Sequence, residues 1–378
     1  MTSLHIIDTL RPGGMERVAV ELCNALASRG EMVGICITRG PAPLAAELRR
    51  EVEILELNRR SRFALPPLLR LGRAIRERRY RVLHAHGRSS FSLAAFMRAL
   101  GLHALPTVYH EHHGAGSATR PPLWLKHWGR RYASAFVGVC SEQRALAVAA
   151  GIVSERFHVV PNARDLGAFS SAPPLDLRKR FQLPRDRAIA LVVAAIRPDK
   201  GIDLLIDALA RCCTGADLTV LVAGRTTEKE YADRCRKKAL ELKDTPSLRF
   251  LGEQADIATL MANADFLIMP SRVESGPLVL LEAMASGLPF AAFSVGGVST
   301  NAAAAGISGF VPPLDTAALT AEIDDLVGDW TAGRRRDTEG AKRWVHAHHS
   351  LDEVAGMWIE LYEALLTRGD RAHAGSVL

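Results

Sequence analysis

Short apolar runs alternate along the chain with stretches whose apolar residues recur every three or four positions. The runs at 4–7, 33–37, 52–57, 82–85, 107–109, 135–139 and 158–160 are too short for helices and predict buried strands. Amphipathic stretches between them predict helices, and strand-helix repetition implies parallel neighbours joined by helical crossovers over both sheet faces. Between 165 and 187 the composition turns to Pro, Ser and scattered charge, including Ser170, Ser171, Pro173, Pro174 and Pro184, which suits a connection followed by a short helix. A second series follows, with strands at 189–196, 218–223, 248–251, 266–269 and 290–293 and helices such as 202–211 and 277–286. Near the C-terminus, apolar residues at 351, 354, 357, 358, 361, 362, 365 and 366 form a helical stripe that needs a packing partner.

The pattern therefore predicts an α/β protein with two Rossmann-like, doubly wound halves: a domain over 1–164, a linker over 165–187, a second domain over 188–345 and a terminal helical segment over 346–378. A length of 378 residues suits two cores. Hydrophobic residues at 48% and charged ones at 24% are an ordinary globular balance, and no uninterrupted apolar run could span a bilayer. The strand at 4–7 leaves no room for a leader, so cytoplasmic residence is expected. Six cysteines show no CxxC pairing, and Cys23, Cys36 and Cys140 fall in apolar periodic stretches as small buried thiols. A net charge of +7 suits an anionic partner without choosing one.

Two loops carry candidate chemistry. In Arg11-Pro12-Gly13-Gly14-Met15-Glu16, after a strand and before a helix, the glycines either let backbone amides approach a ligand or serve a tight turn with positive φ. GxGxxG is absent, so this is no dinucleotide fingerprint. The stronger signal runs from Pro270 to Pro289: a strand ends, a loop carries Glu274, and Ser275-Gly276-Pro277 opens a helix. Amides of Gly276, Leu278 and Val279 would face an anion, and a diphosphate suits that end of the helix dipole. Glu282 follows Glu274 by eight residues, about 12 Å if helical throughout, so the two carboxylates would flank the amides at the span of sugar, diphosphate and ribose.

The string Glu274 to Glu282 within ESGPLVLLEAMASGLP, with residues 265–271 before it, resembles the retaining glycosyltransferases of family 4, which have the GT-B fold of two Rossmann-like domains facing across a cleft. Gly13-Gly14 is similar to that family's acceptor-side loop, Val82-Leu83-His84-Ala85-His86 to its fourth strand, Val160-Pro161-Asn162 to the approach to the linker, Pro198-Asp199-Lys200-Gly201 to its donor-phosphate loop and 351–366 to the terminal helix that crosses back to the first domain. The resemblance implies that Glu274 binds the hydroxyls of the transferred sugar, Glu282 the ribose, and Lys200 the departing diphosphate, with Gly14, Arg197, Ser275, Gly276, Pro277, Leu278 and Val279 also on the donor. It implies a histidine that meets the donor sugar, for which His112 in His110-Glu111-His112-His113 aligns best, with Gly13, His110 and His113 on the acceptor side. Stabilising charge on the leaving nucleotide in the transition state is the physical role of Lys200. No cofactor and no metal is implied; adjacent His112 and His113 project differently, and His84 with His86 share a strand face suited to packing.

The implied activity is hexosyl or N-acetylhexosaminyl transfer, with retention, from a UDP-sugar ahead of a GDP-sugar to a cell-envelope or lipid-linked glycan, completed by domain closure. A small-metabolite acceptor, a non-catalytic GT-B scaffold or partner subunit, and a nucleotide-sugar isomerase or hydrolase are the rivals. Two departures from the family pattern motivate the scaffold: Ala195 where an arginine normally precedes the phosphate-loop lysine by five positions, and Thr300 where a glutamate commonly follows the glycines. Arg197, which strand alternation would turn the same way as Ala195, is the candidate substitute. Arginine-rich stretches at 65–81 and 120–132, the second with Trp124 and Trp128, suit either ordinary surface helices or contact with an anionic inner membrane face. Nucleic acid is not expected, since neither half shows a binding module.

Overall fold

The structure, a computed structural model, describes residues 2–61, 64–112, 123–214, 217–242 and 247–374. Its central strands are buried on both faces, as parallel sheets require, which is why they read as continuous apolar runs rather than alternating ones, while the edge strands Glu53–Glu56 and Ser247–Gly252 stay partly exposed. The chain divides into two units, Met1–Arg164 with His349–Leu378, and Asp165–His348.

The first unit holds β1 (Thr2–Ile7), β2 (Met32–Ile37), β3 (Glu53–Glu56), β4 (Val82–His86), β5 (Thr107–Glu111), β6 (Ala135–Gly138) and β7 (Phe157–Val159), paired in parallel in the order β3-β2-β1-β4-β5-β6-β7. One face carries Ile7, Val33, Ile35, Ile37, Val82, Val108 and Val137 and packs under the helices Gly14–Ser28 and Leu351–Ala374, the latter through Val354, Trp358, Leu361, Tyr362 and Leu365. The opposite face, with Leu4, Ile6, Cys36 and Leu83, lies under Leu65–Glu77 and Gly87–Ala99 through Leu68, Leu71, Ile75, Leu93 and Met97. Cys23, Cys36 and Cys140 are buried free thiols.

The second unit holds β8 (Ala188–Val193), β9 (Leu218–Ala223), β10 (Ser247–Gly252), β11 (Phe266–Met269), β12 (Phe290–Phe293) and β13 (Phe310–Val311), in the parallel order β10-β9-β8-β11-β12-β13. The two sheets thus repeat one winding, in which the chain works outward one way, then returns to the centre and works outward the other way.

Several boundaries differ from expectation. β8 stops at Val193 instead of 196, and Ile196 makes only an isolated bridge to Thr226. β13, two residues long, carries too little pattern to be foreseen. Residues 165–187 hold two short helices where one was expected, Gly167–Ser170 and Leu177–Phe181, and bury Phe169 and Leu177 with Leu183 in the core of the second unit.

Candidate functional site

In an open parallel sheet the loops at the carboxyl ends of two neighbouring strands diverge where the winding reverses, and the crevice between them is the natural ligand site. In the second unit that reversal lies between β8 and β11, which pair directly. The loop after β8 carries Lys200 and the loop after β11 carries Glu274.

Four contacts lace these segments. Gly201 adopts φ +65°, and a Cβ there would stand 1.9 Å from the Pro270 carbonyl oxygen, so only glycine fits. The Arg272 amide donates to the Asp199 carbonyl at 2.8 Å, while the Arg272 guanidinium donates to both Asp203 oxygens at 2.8 and 2.6 Å. Lys200 Nζ lies 2.5 Å from Glu274 Oε1. Burial works against the Asp203 charge, but hydrogen bonds from Arg272 and Tyr231 outweigh it and bring its pKa from 3.8 down to about 2. This Arg272–Asp203–Tyr231 group was not legible beforehand, since its members are scattered over three elements with no fixed spacing.

The loop after β12 closes on the same place: the Gly297 amide donates to the Ser275 carbonyl at 2.9 Å, and a Cβ on Gly296 would meet the Glu274 and Ser275 carbonyls, each at 2.9 Å. The helix Leu278–Ser286 starts one residue later than 277, with Pro277 as its N-cap. Leu278 and Val279 open the helix, whose first amides lack intrahelical partners, whereas Gly276 is buried and already engaged. Glu282 is 8% exposed, in the second turn of this helix between buried Leu281 and Ala283. Because the helix begins only at Leu278, a helical rise over all eight residues from Glu274 does not apply. Arg197 is exposed and its Nε sits 2.9 Å from Asp199 Oδ1; with β8 ended at Val193, alternation no longer ties its direction to that of Ala195. Thr300 lies exposed on the helix Gly296–Ala304, its hydroxyl donating to the Gly296 carbonyl.

In the first unit the reversal lies between β1 and β4. Gly13 caps the helix Gly14–Ser28 with φ −171°, so the positive-φ turn is a wrong expectation for it; its missing Cβ instead leaves room for the Glu16 carboxylate. At the same sheet end stands a histidine cluster. His5 on β1, His84 and His86 on β4 and His110 on β5 share one face, with His112 just beyond β5. His84 Nε2 lies 3.0 Å from His110 Nδ1, and the rings of His84 and His110 rest against Trp358 with centroids at 4.4 and 4.9 Å. His84 Nδ1 is 2.5 Å from the Tyr362 hydroxyl. His5 escaped notice as one polar residue in an apolar strand; the signal was that it occupies the face shared by the other histidines once β1 and β4 are paired. Burial pushes the His5 pKa down to about 3, and burial followed by neighbouring imidazoles holds His84, His86 and His110 well below 6.5. Ring nitrogens of His5, His84 and His86, and of His86, His110 and His112, lie within 4.8 Å of one another, so either group is a candidate metal cradle. His113 lies outside the described residues, as does Arg120.

A family model described as glycosyl transferases group 1 matches residues 175–344, and one described as Glycosyltransferase Family 4 matches residues 12–167. The chain is 30% identical over 250 residues to a D-inositol 3-phosphate glycosyltransferase of Geodermatophilus obscurus, covering 63% of this chain and 54% of the relative. It is 29% identical over 233 residues to the lipopolysaccharide 1,2-N-acetylglucosaminetransferase of Salmonella typhimurium, covering 59% and 58%. The chain spans about half the length of the curated relatives it matches. Among solved structures, Anabaena HepE in complex with UDP and glucose superposes with a TM-score of 0.80 at 21% identity, over 96% of this chain and 100% of that one, a likeness of fold.

Proposed function

The chain belongs to the family 4, or group 1, glycosyltransferases, and from that membership we propose that it transfers a sugar, with retention, from a UDP-sugar to a cell-envelope or lipid-linked glycan. The observation that carries this reading is the convergence of Lys200 and Glu274 on the winding reversal of the second sheet. There Lys200 and the amides of Leu278 and Val279 stabilise charge that develops on the leaving diphosphate, which lowers the barrier more than it tightens ground-state binding. Glu274 accepts hydrogen bonds from the transferred sugar, and Glu282 holds the ribose. In front-face attack the leaving phosphate oxygen takes the acceptor proton, so no side-chain nucleophile is required. The UDP donor is supported by HepE, whose solved complexes hold UDP or UDP-glucose.

A phosphorylated small-molecule acceptor is the second reading, favoured by the inositol-phosphate transferases among the relatives. The envelope reading is supported by the lipopolysaccharide transferase among them and by the helix Leu65–Glu77, where Leu65 and Leu69 are half exposed beside Arg70, Arg73 and Arg76. Such a helix suits an anionic membrane surface. No helix of the described residues is long and apolar enough to cross a membrane.

The test is saturation-transfer NMR with UDP-, GDP- and ADP-sugars on wild type, Lys200→Ala and Glu282→Ala. Selective binding of a UDP-sugar, weakened by both substitutions, is expected. Folded protein that binds none of them would replace this reading with the non-catalytic scaffold, with Ala195 as the first suspect.

A further inference from the structure

His112 is joined to the protein interior by a file of two more imidazoles. His86 Nδ1 lies 3.1 Å from His112 Nε2, and His86 Nε2 lies 3.0 Å from His5 Nδ1. In both pairs the ring centroids are 5.3 Å apart, with interplanar angles of 22° and 26°. That separation is about the N···N distance plus one ring radius at each end, so the bonded nitrogens lie on the line between the centroids, the rings meet edge to edge, and each contact is an N–H···N bond lying close to the ring planes.

A neutral imidazole has one N–H and one bare nitrogen, so a single choice orders the whole file. If the protons point inward, His112 donates to His86, His86 donates to His5, and the file ends on an N–H at His5 Nε2. If they point outward, His5 donates to His86, His86 donates to His112 Nε2, and the file ends on a bare lone pair at His5 Nε2. His5 is fully buried and its Nε2 has no hydrogen-bond partner. An orphaned buried N–H is rarer than an under-satisfied acceptor, and leaving a donor unmade costs its full desolvation. The outward order is therefore the stable one.

We propose that His86 and His5 are positioning residues that fix His112 as its Nδ1–H tautomer, with Nε2 occupied by the His86 N–H. His112 then meets a bound sugar hydroxyl as a neutral hydrogen-bond donor and has no free Nε2 lone pair with which to act as a base. Only this last step rests on the transferase reading; the tautomer follows from the file itself. The competing occupant is a transition-metal ion on His86, His110 and His112. Metal binding needs ring lone pairs to converge on one point, whereas His86 Nδ1 and His112 Nε2 face each other and His110 Nδ1 faces His84 Nε2, and the group contains no carboxylate or thiolate to offset the ion's charge.

The test is a two-bond proton–nitrogen correlation on the full chain labelled with 15N-histidine, with the His112 signals assigned by their loss in His112→Asn. Wild type is expected to show Nδ1 protonated and Nε2 bare. His86→Leu removes the donor and shifts His112 toward the Nε2–H form, whereas His86→Asn, which keeps an N–H near the lost Nδ1, restores the Nδ1–H form. With sugar transfer as readout, kcat falls about 10- to 100-fold in His86→Leu and recovers in His86→Asn. An Nε2–H tautomer in wild type overturns the proposal whether or not the variants fold. So does an unchanged His112 in folded His86→Leu, or a stoichiometric metal that survives dialysis against a chelator. Failure of every sugar donor to bind, with the Nδ1–H tautomer present, would sink the transferase reading and leave the tautomer standing.

Discussion

Lys200 Nζ and Glu274 Oε1 form a 2.5 Å ion pair whose side chains are only 18% and 11% exposed, joining the loops that follow β8 and β11. Removing one partner of such a pair strands the other charge in a largely desolvated place, while removing both does not. Lys200→Ala and Glu274→Ala should each cost about 1–3 kcal/mol, and the double variant should cost less than their sum. Denaturant unfolding of the full cycle measures the coupling; strictly additive losses would show that the pair contributes nothing to the fold. In transfer assays Lys200→Ala should lower kcat about 100- to 1,000-fold, with a smaller change in KM.

Gly201 and Gly30 offer a matched comparison. Both hold positive φ, +65° and +82°, but a Cβ on Gly30 meets nothing within 4 Å, whereas on Gly201 it strikes the Pro270 carbonyl. Gly30→Ala should cost about 1–2 kcal/mol for the backbone conformation alone. Gly201→Ala should cost at least about 1 kcal/mol more and weaken donor binding as well, because the loops must part. Equal losses of stability in the two variants would mean that the loop contact yields freely.

Acid should unfold the first unit by way of its histidines. With folded pKa values below 6.5, these rings bind fewer protons folded than unfolded, so their contribution is complete above about pH 6.5 and declines as pH falls toward the folded values. For His5 the decline runs from 6.5 to about 3, at up to about 1.4 kcal/mol per pH unit. Unfolding free energies between pH 7 and 4 should fall along that slope, and His5→Leu should flatten it. A slope that His5→Leu leaves unchanged would refute the assignment.

Leu65→Ser with Leu69→Ser should reduce sedimentation with phosphatidylglycerol-containing vesicles, and raising the salt concentration should reduce it further in wild type. Both residues are half exposed, while Leu68, Leu71 and Ile75 of the same helix hold it to the sheet, so the fold should survive. Equal sedimentation of variant and wild type would remove this helix from the interface.

What was legible in the sequence follows from what each feature depends on. Strands such as 218–223 and 266–269 read true because burial on both faces leaves an apolar run with no competing helical period. Lys200, Glu274 and Glu282 stood out through their motifs, yet the pairing of Lys200 with Glu274 depends on the two loops meeting across the sheet, which no local pattern encodes. β8 looked longer than it is because Ala194, Ala195 and Ile196 are apolar even though only Ile196 keeps a single bridge. His5, His86 and His112 come from three separate stretches, and only the register of β1, β4 and β5 brings them into one file.

The chain leaves the first unit at Arg164 and re-enters it at His349, where the Arg164 amide donates to the His349 carbonyl and Arg164 bridges to Ser350. During synthesis, therefore, residues 1–164 emerge without the helix that, with Gly14–Ser28, covers one sheet face, and the whole second unit is made before Trp358 and Tyr362 arrive. Until then His84 and His110 lack their aromatic cover. The first unit therefore waits for a segment made after the whole second unit, and the order of translation leaves His84 and His110 among the last parts of the molecule to become dry.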